Sequence, residues 1–148
     1  LEQEGKLKAI VTQNIDGLHQ KAGSKCVYEL HGSIWRNRCQ RCGKKFGPEF
    51  IRDCAGVPHC TCGGLIKPDV VLYEEGLSDT CIEGAVKAIS QADILIVGGT
   101  SLNVYPAAGL INYYRGNKLV LVNLSATPYD DEADLVIHEK LGEVFSRV

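Results

Sequence analysis

Three features of the sequence predict an α/β fold built on a parallel sheet. Short apolar runs at 8–12, 26–30, 70–73, 93–97, 118–122 and 135–137 read as strands, with helical periodicity after several of them. Polar or small residues stand just past three of these runs, at the strand ends where open α/β sheets bind ligands. Between the second and third runs lies a basic, Gly- and Cys-rich segment, 34–66, with neither helical nor strand period, so it reads as an insertion.

Taken in order, 8–12 is the first strand and 14–21 a loop or short helical turn. Ala22, Gly23 and Ser24 punctuate the chain before the strand at 26–30. After the inserted segment, 70–73 reads as a buried strand. Ser78 and Asp79 cap a helix to about residue 91, with Ile82, Ala85, Val86 and Ile89 on one face. The strand at 93–97 runs into Gly98, Gly99, Thr100 and Ser101. A helix over 105–114 follows, with Pro106 in its first turn and Gly116 beyond its end. The strand at 118–122 ends in Asn123, Leu124 and Ser125. A polar loop at 126–133, a short strand at 135–137 and a helix from 140 complete the chain. The domain division is therefore 1–33 with 67–148 as a discontinuous Rossmann-like domain, and 34–66 as a small module.

The length of 148 residues suits one ordinary domain, and 45% apolar residues can form a core. A formal net charge of −2 gives no electrostatic case for nucleic-acid or membrane-surface binding. No apolar run approaches the roughly 20 residues of a membrane-spanning helix. No secretory signal stands at the start, which points to the cytoplasm. The chain opens on Leu1 rather than Met, which reads as a piece of a longer or processed protein.

Seven cysteines without a secretory signal favour metal binding over disulfides. Cys39 and Cys42 form a Cys-x-x-Cys knuckle, and Cys60 and Cys62 a tighter second arm before Gly63 and Gly64. Four thiolates would close a tetrahedral shell around one structural zinc ion with no open position for catalysis. Cys54 and His59 remain possible substitutes for a member of the set. Cys26 and Cys81 read as buried apolar residues.

Gln13, Asn14, Ile15 and Asp16 follow the first strand, and His31 follows the second. A histidine there suits a general base near neutral pH, while Asp16 could equally cap the following turn. Gly98, Gly99, Thr100 and Ser101 could approach a ligand backbone-first, but do not match G-x-G-x-x-G, which argues against an ordinary dehydrogenase. Asn123 could bond a ribose hydroxyl or merely close a turn.

Together, Gln13 to His19, His31 with Gly32, the paired cysteines, Lys67 to Val71, Gly99 to Leu102 and Val122 to Leu124 resemble the sirtuin family, over the whole chain and in the family's order. The compact loops look like a bacterial member. The resemblance implies NAD-dependent removal of acyl groups, acetyl above all, from protein lysines. Nicotinamide, O-acyl-ADP-ribose and free lysine are the products, so the reaction has both transferase and hydrolase character. It implies His31 as catalytic base, Asn14 and Asp16 as further catalytic groups, and Gln13, Asn14, Ile15 and Asp16 as the nicotinamide-ribose contacts. Gly99, Thr100, Ser101, Asn123, Leu124, Ser125 and Leu141 are the implied contacts to the rest of NAD. Val70, Val71 and Leu72 are the implied edge for an acyl-lysine protein substrate by strand addition. The family's Phe-Gly-Glu is replaced here by Tyr73, Glu74, Glu75 and Gly76. The family's earlier strand with its Gly-Ala-Gly phosphate loop has no counterpart, so the expectation is an N-terminally truncated member, inactive as this piece alone. Competing readings are a zinc-ribbon binding module on an inactive scaffold, using Arg36, Arg38, Arg41, Lys44 and Lys45, and a protein ADP-ribosyltransferase. The sequence specifies no oligomeric state.

Overall fold

In the computed structural model, which describes residues 1–147, the chain divides by contacts into Leu1–Ile82 and a second unit from Glu83 onward. In the first unit, β1 (Ile10–Thr12) and β2 (Val27–Glu29) pair in parallel, with Ile10 opposite Val27 and Thr12 opposite Glu29. One turn of helix, α1 (Leu18–Lys21), lies in the connection. The main-chain N–H of Leu30 continues the ladder onto the Thr12 carbonyl at 2.9 Å, so the two polar strand ends lie side by side.

The inserted segment is more regular than its composition suggests. Strand β3 (Gly32–Cys39) pairs antiparallel with β4 (Lys45–Phe46) on one side and β5 (Ile66–Val70) on the other, and α2 (Pro48–Arg52) follows β4. This corrects the expectation of a segment without strand period. The inward residues of β3 include the polar Ser33 and Asn37, 1% and 3% exposed, so no apolar alternation is visible. A register shift between Ser33 and Asn37 breaks the remaining period.

The expected buried strand at 70–73 is also corrected. Pairing in β5 begins earlier, at Ile66, and ends at Val70, with one further bond from the Val71 N–H to the His31 carbonyl at 3.0 Å. Beyond it the chain turns. The Glu75 carboxylate accepts from the Leu72 N–H at 2.9 Å and the Glu75 N–H donates to the Leu72 carbonyl at 3.1 Å. Glu74 takes φ 69°, the left-handed conformation that the family's glycine would favour. Leu72 and Tyr73 are consequently exposed.

Helix α3 (Asp79–Ser90) crosses the division between the units and buries Ala85 and Ile89, as its periodicity predicts. The second unit is a parallel sheet in the order β6 (Ile94–Gly98), β7 (Lys118–Val122), β8 (Leu135–Ile137). Leu102, Ile111, Leu119 and Leu121 form its core, with Leu95 and Val97 packed against them. Ile94 and Ile96 alternate onto the opposite, exposed face. The expected α-helix over 105–114 is instead a 3-10 helix, Ala107–Tyr113. It buries Ala108, Leu110 and Ile111. A 3-10 turn, Asp130–Glu132, interrupts the expected loop, and the last helix is α4 (Leu141–Phe145). No helix among the described residues is long and apolar enough to cross a membrane.

Candidate functional site

The loop after β1 is fixed at its carbonyl oxygens by the segment that starts β3. His31 Nδ1 lies 3.0 Å from the Gln13 carbonyl. The Ile34 N–H donates to the Ile15 carbonyl at 3.1 Å, and the Trp35 indole N–H to the Asp16 carbonyl at 2.6 Å. A carbonyl oxygen only accepts, so Nδ1 of His31 is the donor, and in the neutral ring Nε2 carries the lone pair. Asp16 uses one carboxylate oxygen to accept from the Leu18 N–H at 3.0 Å, the turn-capping role weighed from sequence, and among the described residues the other makes no hydrogen bond. Among the described residues the Asn14 side chain makes no hydrogen bond, and the residue is exposed. The backbone N–H of Asn14 is held by Thr12 Oγ1 at 3.1 Å. The structure thus brings Gln13, Asn14, Ile15, Asp16 and His31 together. Gly32 is required beside His31: it has φ 76°, and a Cβ there would overlap the Asp69 carbonyl.

Sequence reasoning missed two residues that brace this region, Trp35 and Arg36. Arg36 donates to Glu29 Oε2 at 2.6 Å and to Asp69 Oδ2 at 3.1 Å, while Arg38 also holds Asp69. Burial lowers the Arg36 pKa, but the bonds to Glu29 and Asp69 outweigh it and raise the pKa above its usual value. Glu29 precedes His31 by two residues and Asp69 precedes Val71 by two, so Arg36 ties together the two strands that meet at His31. The only legible signal was placement within five residues of His31. A cleft of about 420 Å³ borders Tyr28, Glu29, Arg36, Asp69 and Cys81. Its walls include neither His31 nor Gln13, Asn14 and Asp16, so it is not the site built on those residues. Val70 and Val71 lie where β5 meets His31, and the Leu72 N–H is occupied by Glu75.

In the second unit, Gly98 and Gly99 end β6 under the side chain of Leu141. A Cβ on Gly98 would overlap Leu141, and Gly99 has φ 65°. The Thr100 hydroxyl accepts from the Leu102 N–H at 3.2 Å, and Ser101 is exposed. The Asn123 side-chain N–H donates to the Ser125 carbonyl at 2.8 Å, so part of its capacity closes its own turn; Leu124 and Ser125 are exposed. His138 bonds the Asn123 carbonyl at 2.9 Å through Nδ1.

The four-cysteine set resolves as Cys39, Cys42, Cys60 and Cys62, whose sulfurs all lie within 4.8 Å of one another. Cys39 and Cys62 are 3.5 Å apart, and Cys42 and Cys60 3.7 Å. Tetrahedral zinc–thiolate bonds of ~2.3 Å put sulfurs about 3.8 Å apart, so the donor set and spacing fit zinc. Gly43 and Gly63 turn the two arms with φ 71° and 78°. A Cβ on Gly64 would sit 2.6 Å from Cys39 Sγ. The backbone N–H of Cys42, helped by that of Arg41 against burial, pulls the Cys39 thiol down to about 6. The backbone N–H of Cys62 likewise lowers Cys60. The Gly64 N–H pulls Cys62 down, but Cys39, burial and the other thiols push it up to about 11. Cys54 and His59 lie outside the cluster. Cys26 is exposed and Cys81 half-buried, which corrects the expectation that both are buried.

The chain is 67% identical over 150 residues to an NAD-dependent protein deacetylase of Clostridium acetobutylicum, covering 100% of this chain and 61% of that protein. It is 64% identical to the enzyme of the same name from Clostridium perfringens, covering 62% of its length. The chain therefore spans about three fifths of the length of these curated relatives. The solved complex described as Sir2 with p53 peptide and NAD+ matches at a TM-score of 0.93 and 45% identity, over 100% of this chain and 64% of that one. Sir2 bound to acetylated peptide matches at 0.93 and 44%, over 65% of its chain. The Sir2 family model matches residues 1–106, and the chain belongs to that family.

Proposed function

We propose that this chain serves in an NAD-dependent protein lysine deacylase that removes acyl groups, acetyl foremost, from protein lysines. The products are nicotinamide, O-acyl-ADP-ribose and free lysine. The observation that carries the reading is His31: its Nδ1 is anchored on the Gln13 carbonyl, with Asn14 and Asp16 on the same short loop. Relatives named NAD-dependent protein deacetylase support it.

On this reading Gln13, Asn14, Ile15 and Asp16 hold the nicotinamide-ribose end of NAD, and Gly99, Thr100, Ser101, Asn123, Leu124, Ser125 and Leu141 the remainder. When bound, NAD supplies a ribose carbon activated for attack. His31 takes a proton at Nε2, a role typically worth about 10²–10⁴-fold. The free carboxylate oxygen of Asp16 offers negative charge where positive charge develops, and the unpaired Asn14 amide orients a hydroxyl or a water. Val70 and Val71 present the edge for the acyl-lysine segment, up to the turn that Glu75 closes on Leu72. The four thiolates hold one structural zinc ion in the 34–66 module, inserted in a discontinuous NAD-binding domain of 1–33 and 67–148. Reduced cysteines used in this way suit the cytoplasm. No Gly-Ala-Gly loop occurs in these residues, so on this reading the 148-residue piece is inactive alone.

His31→Ala in the full-length protein tests the assignment. Deacetylation should fall by about 10²–10⁴-fold with unchanged melting. Activity within a few fold of the parent would remove His31 as the base.

A further inference from the structure

The geometry points to Trp35 as a positioning residue for the loop that carries Asn14 and Asp16, an inference that rests on the function proposed above. Trp35 is the sole tryptophan of the chain and is 53% exposed, so core packing does not explain it. Its indole N–H closes onto the Asp16 carbonyl at 2.6 Å. The ring lies against Gly17, where a Cβ would approach indole Cδ1 and Nε1 to 2.8 Å. Gly17 itself has φ 69°, so the loop turns out of the site at the residue that the indole covers.

Two other main-chain groups of this loop are held nearby, the Gln13 carbonyl by His31 and the Ile15 carbonyl by the Ile34 N–H. Trp35 supplies the third attachment, the one closest to the Asp16 carboxylate and the only one of the three made by a side chain from within β3. That strand ends at Cys39, so one strand carries both the attachment to the Asp16 turn and a member of the cysteine set. The Asn14 side chain makes no hydrogen bond among the described residues and the Asp16 carboxylate bonds only within its own turn, so the loop backbone carries both, and Trp35 fixes the end of it.

Trp35→Phe keeps an aromatic ring over Gly17 and removes the N–H. One hydrogen bond of ordinary net strength predicts that the KM for NAD in the full-length protein rises about three- to tenfold. The kcat should fall by a similar factor, because the loop carries Asn14 and Asp16, while the KM for acetyl-peptide should stay within about twofold and the midpoint of urea unfolding should shift by no more than about 0.5 M. An unchanged NAD KM, or a uniform loss in every parameter that tracks lowered stability, would overturn the assignment. If the unsubstituted protein does not turn over NAD, the proposed function fails and Trp35 is decided separately. Without ligand, the Leu18 amide, held by the Asp16 carboxylate, should then exchange about three- to tenfold faster in Trp35→Phe. Unchanged protection would refute the positioning role.

Discussion

Arg36→Ala should destabilise the first unit by about 2 kcal/mol, because it strands one carboxylate and not the other. The Glu29 side chain is 8% exposed and its ionic partner is Arg36 at 2.6 Å, whereas Asp69 keeps Arg38 at 3.1 Å. Breaking a fully buried pair costs about 3–5 kcal/mol, and an exposed pair is worth ~0–1. The Arg36 side chain is 52% exposed, so solvent screens the pair and the expected cost lies between these limits. For a chain of this length that corresponds to a melting temperature lower by about 4–8 °C. Urea unfolding, followed through Trp35 in the same unit, gives the measurement. A double-mutant cycle with Glu29→Gln isolates the pair, and the coupling should be about 1–2 kcal/mol. Glu29→Gln alone should cost less than Arg36→Ala, because an amide tolerates burial better than an unpaired charge. A coupling below about 0.3 kcal/mol would refute the reasoning and make Arg36 an ordinary surface cation.

Two further outcomes follow from the same structure. Chelation of the zinc-loaded protein should release about one metal ion per chain and lower the melting temperature by about 10 °C or more, because binding energy at such a site is folding energy; unchanged stability would rule out a structural metal. Acidification should weaken the turn after β5: the bonds from Lys67, and then the Leu72 N–H, hold the Glu75 carboxyl below its ordinary 4.5. A depressed native pKa stabilises fully above 4.5, and the contribution disappears as pH falls through the native value. Glu75→Gln should flatten stability against pH below about 4.5 and leave it parallel above, as urea midpoints across pH 3–6 would show.

The cysteine set was more legible than the elements around it. Cys39, Cys42, Cys60 and Cys62 could be read because metal-ligand chemistry demands fixed residue types at short spacing. The strand β3 between His31 and Cys39 was hidden because its inward positions are Ser33 and Asn37, polar groups whose burial depends on neighbours distant in sequence. The strand expected at 70–73 ended at Val70 for a related reason. Apolar residues state a preference for burial, but a strand persists only as far as a partner does, and β3 offers none beyond Gly32. Likewise the 105–114 segment has helical punctuation, which marks where a helix starts and stops but not which coil it takes, because residues three apart share a side in both.

The sequence by itself determined the α/β class, the family resemblance, the cysteine set and the loop residues around His31, because each depends on local periodicity or on side-chain chemistry at short range. Only the tertiary structure decided how that loop is held. The Trp35 indole on Asp16, the Ile34 N–H on Ile15, His31 on Gln13 and Arg36 between Glu29 and Asp69 are contacts between segments remote along the chain. Directional bonds of this kind exist only once β3 lies beside both the loop and β5, and no pattern in a linear sequence carries that distance.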